Sequence, residues 1–357
     1  LVAMQRKTAA HIDLEAIRAN YAYACTLVPN GKILPVIKAD AYGHGLVPVA
    51  KALRAQVPAF AVATVEEAVE LREAGIGVDL LVLEGATTRA ATERAGAHGL
   101  VLMVHAESQV DMLPGSGASA WVKVDTGMHR LGVDPTALSD VVGRLQAGGV
   151  EVRAICTPLA CADEVDNDVT REQLETFREC TSGYDLPLSI ANSAGILAWP
   201  ESHADWNRPG IMLFGASPFA ADVEATRELR PAMTFASEII AIRELAAGNS
   251  VGYGRRWTAE RPSIIATIAA GYADGYPRHA ENGTPVLVGE HVVPLVGAVS
   301  MDMITVDLTD HPGASIGDPV ELWGRTIQVN DVAAHADTIG YQLLTGVTPR
   351  VPRMYHN

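Results

Sequence analysis

Long apolar runs are missing from this chain of 357 residues. None approaches the roughly 20 residues that a membrane-spanning helix needs, so a helical membrane anchor is not expected. Cysteine is scarce, with Cys25, Cys156, Cys161 and Cys180 scattered singly. No two form a C-x-x-C pair, and no histidine stands at ligand spacing beside them. This speaks against a disulfide framework and a structural zinc site. The expectation is four reduced thiols, buried or idle, and no metal. Positive charge is also short: 27 Lys and Arg face 42 Asp and Glu, for a net charge of −15 and a pI near 5.1. Such a surface suits neither nucleic acid nor an anionic membrane, although a few local cations can still hold a small anion. Internal repeats and low-complexity linkers are absent. The opening Leu1-Val2-Ala3-Met4 is too short for a signal peptide. Met4 reads as a natural start, and the cytoplasm is the default location, although a removed export signal would leave no trace.

What remains is an ordinary globular balance, 48% hydrophobic and 19% charged, in a chain long enough for one large domain and a smaller one. From residue 9 to 229 short apolar runs alternate with helical stretches. Strands are expected at Ala10–Leu14, Lys32–Lys38, Ala59–Ala63, Asp79–Leu83, Leu100–His105, Ala120–Val124, Val152–Thr157, Leu188–Ala191 and Ile211–Gly215. Helices are expected at Glu15–Leu27, Leu46–Gln56 and Val65–Ala74. Strands separated by helices imply βαβ units and a parallel sheet. Eight or so units over this length predict an α/β fold of the (β/α)8 TIM-barrel type, which typically needs about 250 residues; a doubly wound open sheet is the alternative. The texture changes at Leu229-Arg230-Pro231. Beyond it Val, Ile and Thr dominate, punctuated by Gly, Pro and Asn282-Gly283. The expected domains are therefore a barrel over 1–229 and a mostly β domain over 230–357, with a helix capped by Asn330 and another at Tyr341–Gly346.

Four stretches stand out. In Val36-Ile37-Lys38-Ala39-Asp40-Ala41-Tyr42-Gly43-His44-Gly45 a lysine ends an apolar strand. Barrel strand ends open onto the catalytic face, and a desolvated lysine there has a lowered pKa and can form a Schiff base. The glycines let the chain turn closely beside a ligand. The second is Val122-Lys123-Val124-Asp125-Thr126-Gly127-Met128-His129-Arg130-Leu131-Gly132. The third pairs Ile190-Ala191-Asn192-Ser193-Ala194 with Asn207-Arg208-Pro209-Gly210-Ile211. The last, in the β domain, is Ser250-Val251-Gly252-Tyr253-Gly254-Arg255-Arg256-Trp257-Thr258.

Together these strings resemble those of the bacterial alanine racemases, pyridoxal 5'-phosphate (PLP) enzymes, and the resemblance runs along nearly the whole chain. It implies that Lys38 carries PLP as a Schiff base and is one of two catalytic bases in the interconversion of L- and D-alanine, which supplies D-alanine for peptidoglycan. Tyr42 then bonds the cofactor phosphate. Arg130 contacts the cofactor's phenolic oxygen and the substrate carboxylate, tasks that suit a planar guanidinium. Lys123 matches a lysine that many members carbamylate to hold that arginine; a salt-bridged barrel lysine is the alternative. Asn192, Ser193 and the amides of Gly210 and Ile211 form the phosphate cradle. Arg208 faces the pyridine nitrogen, where most PLP enzymes place a carboxylate. An always-charged arginine keeps that nitrogen unprotonated, which favours reprotonation at the α-carbon over transamination. Tyr253 is the second base. Racemisation needs a proton acceptor on each face of the α-carbon, and a tyrosine with pKa about 10 needs nearby cations or hydrogen bonds to serve. In the family this tyrosine enters the other subunit's site, which implies a head-to-tail homodimer. Tyr272 lines the substrate channel, and Met301 and Asp302 contact the substrate carboxylate region of the partner subunit's site. Tyr276 and Met303 read as packing residues.

Three positions depart from the family's pattern. Pro158 stands where many members have a histidine that hydrogen-bonds the catalytic tyrosine, which bears on how Tyr253 is tuned; Ser189 replaces a second histidine, though related members also use serine there; and Pro349 stands where some have a phosphate-binding tyrosine. A PLP amino-acid decarboxylase would share barrel and β domain, but Arg208 argues against it. A non-catalytic PLP carrier stops at the barrel, which the residues after 229 and Tyr253 argue against. A racemase that also takes serine or lysine is left open.

Overall fold

The computed structural model describes residues 6–357; the opening Leu1–Met4 lie outside the described residues. Eight strands form one parallel sheet: β2 (Lys32–Ile33), β3 (Ala59–Val62), β4 (Asp79–Val82), β5 (Val101–Val104), β6 (Ser119–Lys123), β7 (Val152–Cys156), β8 (Leu188–Ser189) and β9 (Trp206–Asn207). β3 to β9 are neighbours in chain order, and β2 lies beside β9. The sheet closes because Val36, just beyond β2, bridges Ala61 of β3 in parallel; the Ala61 amide donates to the Pro35 carbonyl and the Ile37 amide to the Ala61 carbonyl, each at 2.9 Å. This is the expected barrel.

Strand interiors are mostly apolar, with Arg153 inside β7 a half-exposed exception. β3 and β5 are buried at every residue, as a sheet covered on both faces requires. The connecting helices include α2 (Leu46–Leu53), which buries Leu46, Val49, Ala50 and Leu53. That i, i+3, i+4, i+7 spacing makes one stripe, and each large side chain so buried contributes roughly 1.5–3 kcal/mol. In α3 (Val65–Glu73), Thr64 and Glu67 form a reciprocal capping box. Residues 18–213 and 218–229 make up this unit.

The second unit takes the segment ending at Ile17, residues 214–217 and residues 230–357. The strand expected at Ala10–Leu14 forms as β1 (Ala9–Asp13), but in this unit and not in the barrel. It runs antiparallel to β10 (Met233–Leu245) and parallel to β18 (Arg353–His356). Ala10 and Ile12 are fully buried while His11 and Asp13 are half-exposed. Such alternation suits a sheet with one covered face better than a barrel strand. A bulge between Ile239 and Ala241 lets β10 pair first with β17 (Pro319–Trp323) and then with β13 (Ser263–Ile268). Phe235 of β10 and Trp323 of β17 meet edge-on in the core, ring centroids 4.6 Å apart.

Two further expectations change. Ile211–Gly215 is not a strand: Ile211–Phe214 form a 3-10 turn. All four are buried, so the apolar run met its burial without strand pairing. The barrel's last strand is β9, hidden among the turn-forming residues Asn207, Pro209 and Gly210. Near the C-terminus Asn330 lies inside the helix Val329–Ala334, with Gln328 at its cap; the Asn330 side chain donates to the Ser217 carbonyl at 3.0 Å. No helix among the described residues is long and apolar enough to cross a membrane.

Candidate active site

Lys38 lies just past the Val36 bridge, where the barrel closes. The chain turns there with Gly43 and Gly45, at φ 80° and 97°, but not with glycine alone. Ala39, Asp40, Ala41 and Tyr42 all have φ between 51° and 54°, a left-handed turn of four residues with side chains. Each costs about 1–2 kcal/mol relative to right-handed backbone, so tertiary contacts must hold the turn. The Ala41 amide donates to the Ile37 carbonyl (2.9 Å) and the Gly45 amide to the Asp40 carbonyl (2.9 Å). Asp40 Oδ1 accepts from the Leu46 amide (2.8 Å), and Glu67 Oε1 accepts from the Ala39 amide (2.7 Å). The turn leaves Lys38 half-buried and Tyr42 buried.

The Tyr42 hydroxyl lies against Gly210, where an added Cβ would overlap it. Ser193 Oγ accepts from the Gly210 amide at 2.9 Å and the Met212 amide at 3.4 Å. Asn192 caps the helix Ser193–Ala198, accepting from the Gly195 amide at 2.9 Å. The structure therefore brings Tyr42, Asn192, Ser193, Gly210 and neighbouring Ile211 together as a small group of hydroxyls and amides.

Lys123 ends β6. The next residues fold back so that Val124 bridges Val133. Within the loop Asp125 Oδ1 accepts from the amides of Gly127, Met128 and His129, each at 3.0 Å. Burial alone would raise the Asp125 pKa, but these amides and the His129 ring outweigh it and hold the carboxyl below its ordinary value. Gly132, at φ 144°, closes the loop against Asp125 too tightly for any side chain. Arg130 is carried on this loop.

Arg208 follows β9 and is held by neutral acceptors. Its Nη2 donates to the carbonyls of Thr157 (2.8 Å) and Ile190 (3.1 Å), and its Nη1 to Ser189 Oγ. Ser189, one of the departures noted above, passes its own proton to the Trp206 carbonyl at 2.8 Å. A buried chain fixes the Thr157 end: Gln173 Nε2 donates to Thr126 Oγ1 (3.2 Å), Thr126 to Thr157 Oγ1 (2.8 Å), and Thr157 to the Val124 carbonyl (3.0 Å). Gln173 Nε2 also donates to the Pro158 carbonyl at 3.0 Å, so a backbone contact fixes the loop at that departure. Sequence reasoning missed Glu67, Thr157 and Gln173. Only Glu67 left a signal, the Thr64-x-x-Glu67 capping pattern.

The remaining candidates lie in the other unit. Tyr253 opens a tight turn between Gly252 and Gly254, both at φ 70°, and is 75% exposed. Met301 and Tyr272 are also exposed. The two segments bearing them are tied together, the Tyr272 amide donating to the Ser300 carbonyl (3.0 Å) and the Ala273 amide to the Met301 carbonyl (2.9 Å). Asp302 pairs with Arg350 at 2.8 Å. Tyr276 is fully buried as expected for packing, whereas Met303 is exposed.

In the barrel four cations thus share the strand ends. Burial pushes the Lys123 amine below the ordinary lysine value; Cys156 opposes this, and Arg208, Arg130 and Lys38 add to it. Among the described residues none of the four forms an ion pair with a carboxylate. A lowered pKa means that, between its folded value and 10.5, the unfolded chain binds more protons, so stability rises with pH across that window. Lys123→Met in cofactor-free, CO2-free protein is expected to flatten that rise, measured as the denaturant midpoint through the alkaline range. An unchanged slope would show that Lys123 is not the group responsible.

Comparison with known proteins gives the same picture over the full length. The model of the alanine racemase N-terminal domain matches residues 12–218 and that of the C-terminal domain residues 232–355. The alanine racemase of Chromohalobacter salexigens is 50% identical over 360 residues, 99% of each chain. The crystal structure of the biosynthetic alanine racemase from Pseudomonas aeruginosa superposes with a TM-score of 0.95 at 45% identity, covering 99% of this chain and 100% of that one. The alanine racemase of Bartonella henselae, whose crystal structure has covalently bound pyridoxal phosphate, gives 0.89 at 32% identity over 98% of this chain and 99% of that one. With both domain models matched in order and half the residues shared with a full-length relative, the chain belongs to the alanine racemase family.

Proposed function

We propose that this protein interconverts L- and D-alanine with PLP, using Lys38 and Tyr253 as its two bases. The observation that carries the reading is the gathering of Lys38, Lys123, Arg130 and Arg208 at one end of the barrel beside the Tyr42–Ser193–Gly210 cradle. The donor set fits the cofactor. Hydroxyls and amides, with a glycine where any side chain would collide, suit a phosphate, and uncompensated cations suit an anionic ring substituent. When bound, PLP supplies the electron sink that makes the substrate α-proton acidic.

The chain's own residues do the rest. Lys38 is the residue that would hold the cofactor; once the substrate's amine had displaced it there, the freed Lys38 Nζ would exchange a proton with the α-carbon on one face, while Tyr253 Oη would serve the other face. One proton leaves and one arrives, so either base works in either direction. Arg130 pairs with the substrate carboxylate. Arg208 stays charged in its ring of neutral acceptors and keeps the ring nitrogen unprotonated, which restrains side reactions. Tyr272, Met301 and Asp302 approach from the substrate side. The lowered Lys123 pKa favours the neutral amine, which can add CO2 and release a proton to leave a carbamate, an anion able to pair with Arg130.

Exposed Tyr253, Met301 and Met303 on one unit support a homodimer in which each copy lends Tyr253 to the other's site, since grouped exposed apolar side chains mark interaction surfaces. Four free thiols fit the reducing cytoplasm, where D-alanine is made for peptidoglycan.

Incubated with L-alanine in D2O, the protein is expected to form D-alanine bearing deuterium at Cα, and Lys38→Ala to lower kcat/KM by about 100-fold or more. Absence of α-deuterium exchange would contradict the assignment. Mixing Lys38→Ala with Tyr253→Phe chains is expected to restore up to about a quarter of wild-type activity, since half the dimers are hybrids and each hybrid holds one intact site of two. No recovery after proven subunit exchange would place both bases on one chain.

A further inference from the structure

The reaction as described leaves unused the carboxylate that touches the lysine-bearing turn. Glu67 sits in the first turn of α3. Its amide donates to Thr64 Oγ1 at 3.3 Å, and its Oε2 accepts from the Thr64 amide at 3.4 Å and more closely from the Ala63 amide at 2.7 Å. That much is helix capping. Its second oxygen does something else: Oε1 accepts from the Ala39 amide, 28 residues earlier, at 2.7 Å.

Ala39 directly follows Lys38 and is the first of the four left-handed residues. Such a turn does not persist on its own conformational preference. Whatever holds its first residue sets the direction in which Lys38 leaves its strand and, three residues on, the placement of Tyr42. An ionised acceptor makes a stronger bond to an amide than a neutral one does. Both short bonds of Glu67 bind backbone across the barrel's closing seam, Ala63 following β3 and Ala39 following the Val36 bridge to β3.

We propose that Glu67 is a positioning residue for the cofactor site: by spanning the Ala63 and Ala39 amides it pins the left-handed turn that aims Lys38 and Tyr42 at PLP. The inference rests on the reading that PLP binds at Lys38. Glu67 acts through backbone and touches neither cofactor nor substrate.

The test compares Glu67→Ala, Glu67→Gln and Thr64→Ala by three readouts: the PLP dissociation constant of the stripped protein, its Tm, and hydrogen exchange at the Ala39 amide. Glu67→Ala is expected to weaken PLP by at least about tenfold and to speed exchange at Ala39. Glu67→Gln, which keeps one acceptor oxygen, should fall between it and wild type, and decides the matter if the alanine variant does not fold. Thr64→Ala removes the capping hydroxyl only. It should lower Tm while leaving PLP affinity within about twofold of wild type. Wild-type affinity in the Glu67 variants, or equal weakening in Thr64→Ala, would reduce Glu67 to a helix cap and overturn the proposal while leaving the functional reading intact. A wild-type chain that takes up no PLP would overturn both.

Discussion

Like charges gathered without a counterion are the constraint on which this barrel depends. Lys38, Lys123, Arg130 and Arg208 come from three separate stretches of the chain and meet at the strand ends that β2, β6 and β9 supply. Their mutual repulsion shows at Lys123, where Arg208, Arg130 and Lys38 add to burial in lowering the amine's pKa. The neighbouring acids are committed elsewhere: Asp125 to three backbone amides, Asp40 to the Leu46 amide, and Glu67 to Ala39 and Ala63. Arg208 is held by carbonyls and one hydroxyl, and the Gln173–Thr126–Thr157 chain that fixes one of those carbonyls is neutral. The acids and amides thus shape the site, while its positive charge is left for an anionic ligand.

The same division is kept at two of the departures from the family's pattern. Ser189 can accept from Arg208 while donating to the Trp206 carbonyl. Pro158 offers no side-chain hydrogen bond, yet its carbonyl is taken up by Gln173. In both cases the scaffold around Arg208 is completed with neutral groups, so its charge is not offset.

Much of this was legible in the residue order because the relevant contacts are local. The strand-end lysine and the Asp125–Gly132 loop each act within about ten residues and the βαβ rhythm gave the barrel, whereas the cradle was legible only as separate strings, since Ser193 meets Gly210 17 residues on. What was hidden was non-local. Nothing in Ala9–Asp13 says which sheet a five-residue strand joins. The two-residue strand at Trp206 carries too few residues for a period, and buried Ile211–Phe214 satisfied an apolar run equally well as a 3-10 turn. Four consecutive left-handed residues without glycine run against local preference, so no reading of Ala39–Tyr42 alone finds them. The Thr64–Glu67 cap was visible; its reach to Ala39 was not.

The chain holds only five lysines, and two of them, Lys38 and Lys123, belong to the cation cluster. Borohydride reduction of the PLP-loaded protein, followed by peptide mapping, therefore tests directly whether the cluster is the cofactor site and which lysine is aimed at it. The account predicts the pyridoxyl group on the Lys38 peptide alone. Label on Lys123, or on Lys7, Lys32 or Lys51, would contradict it.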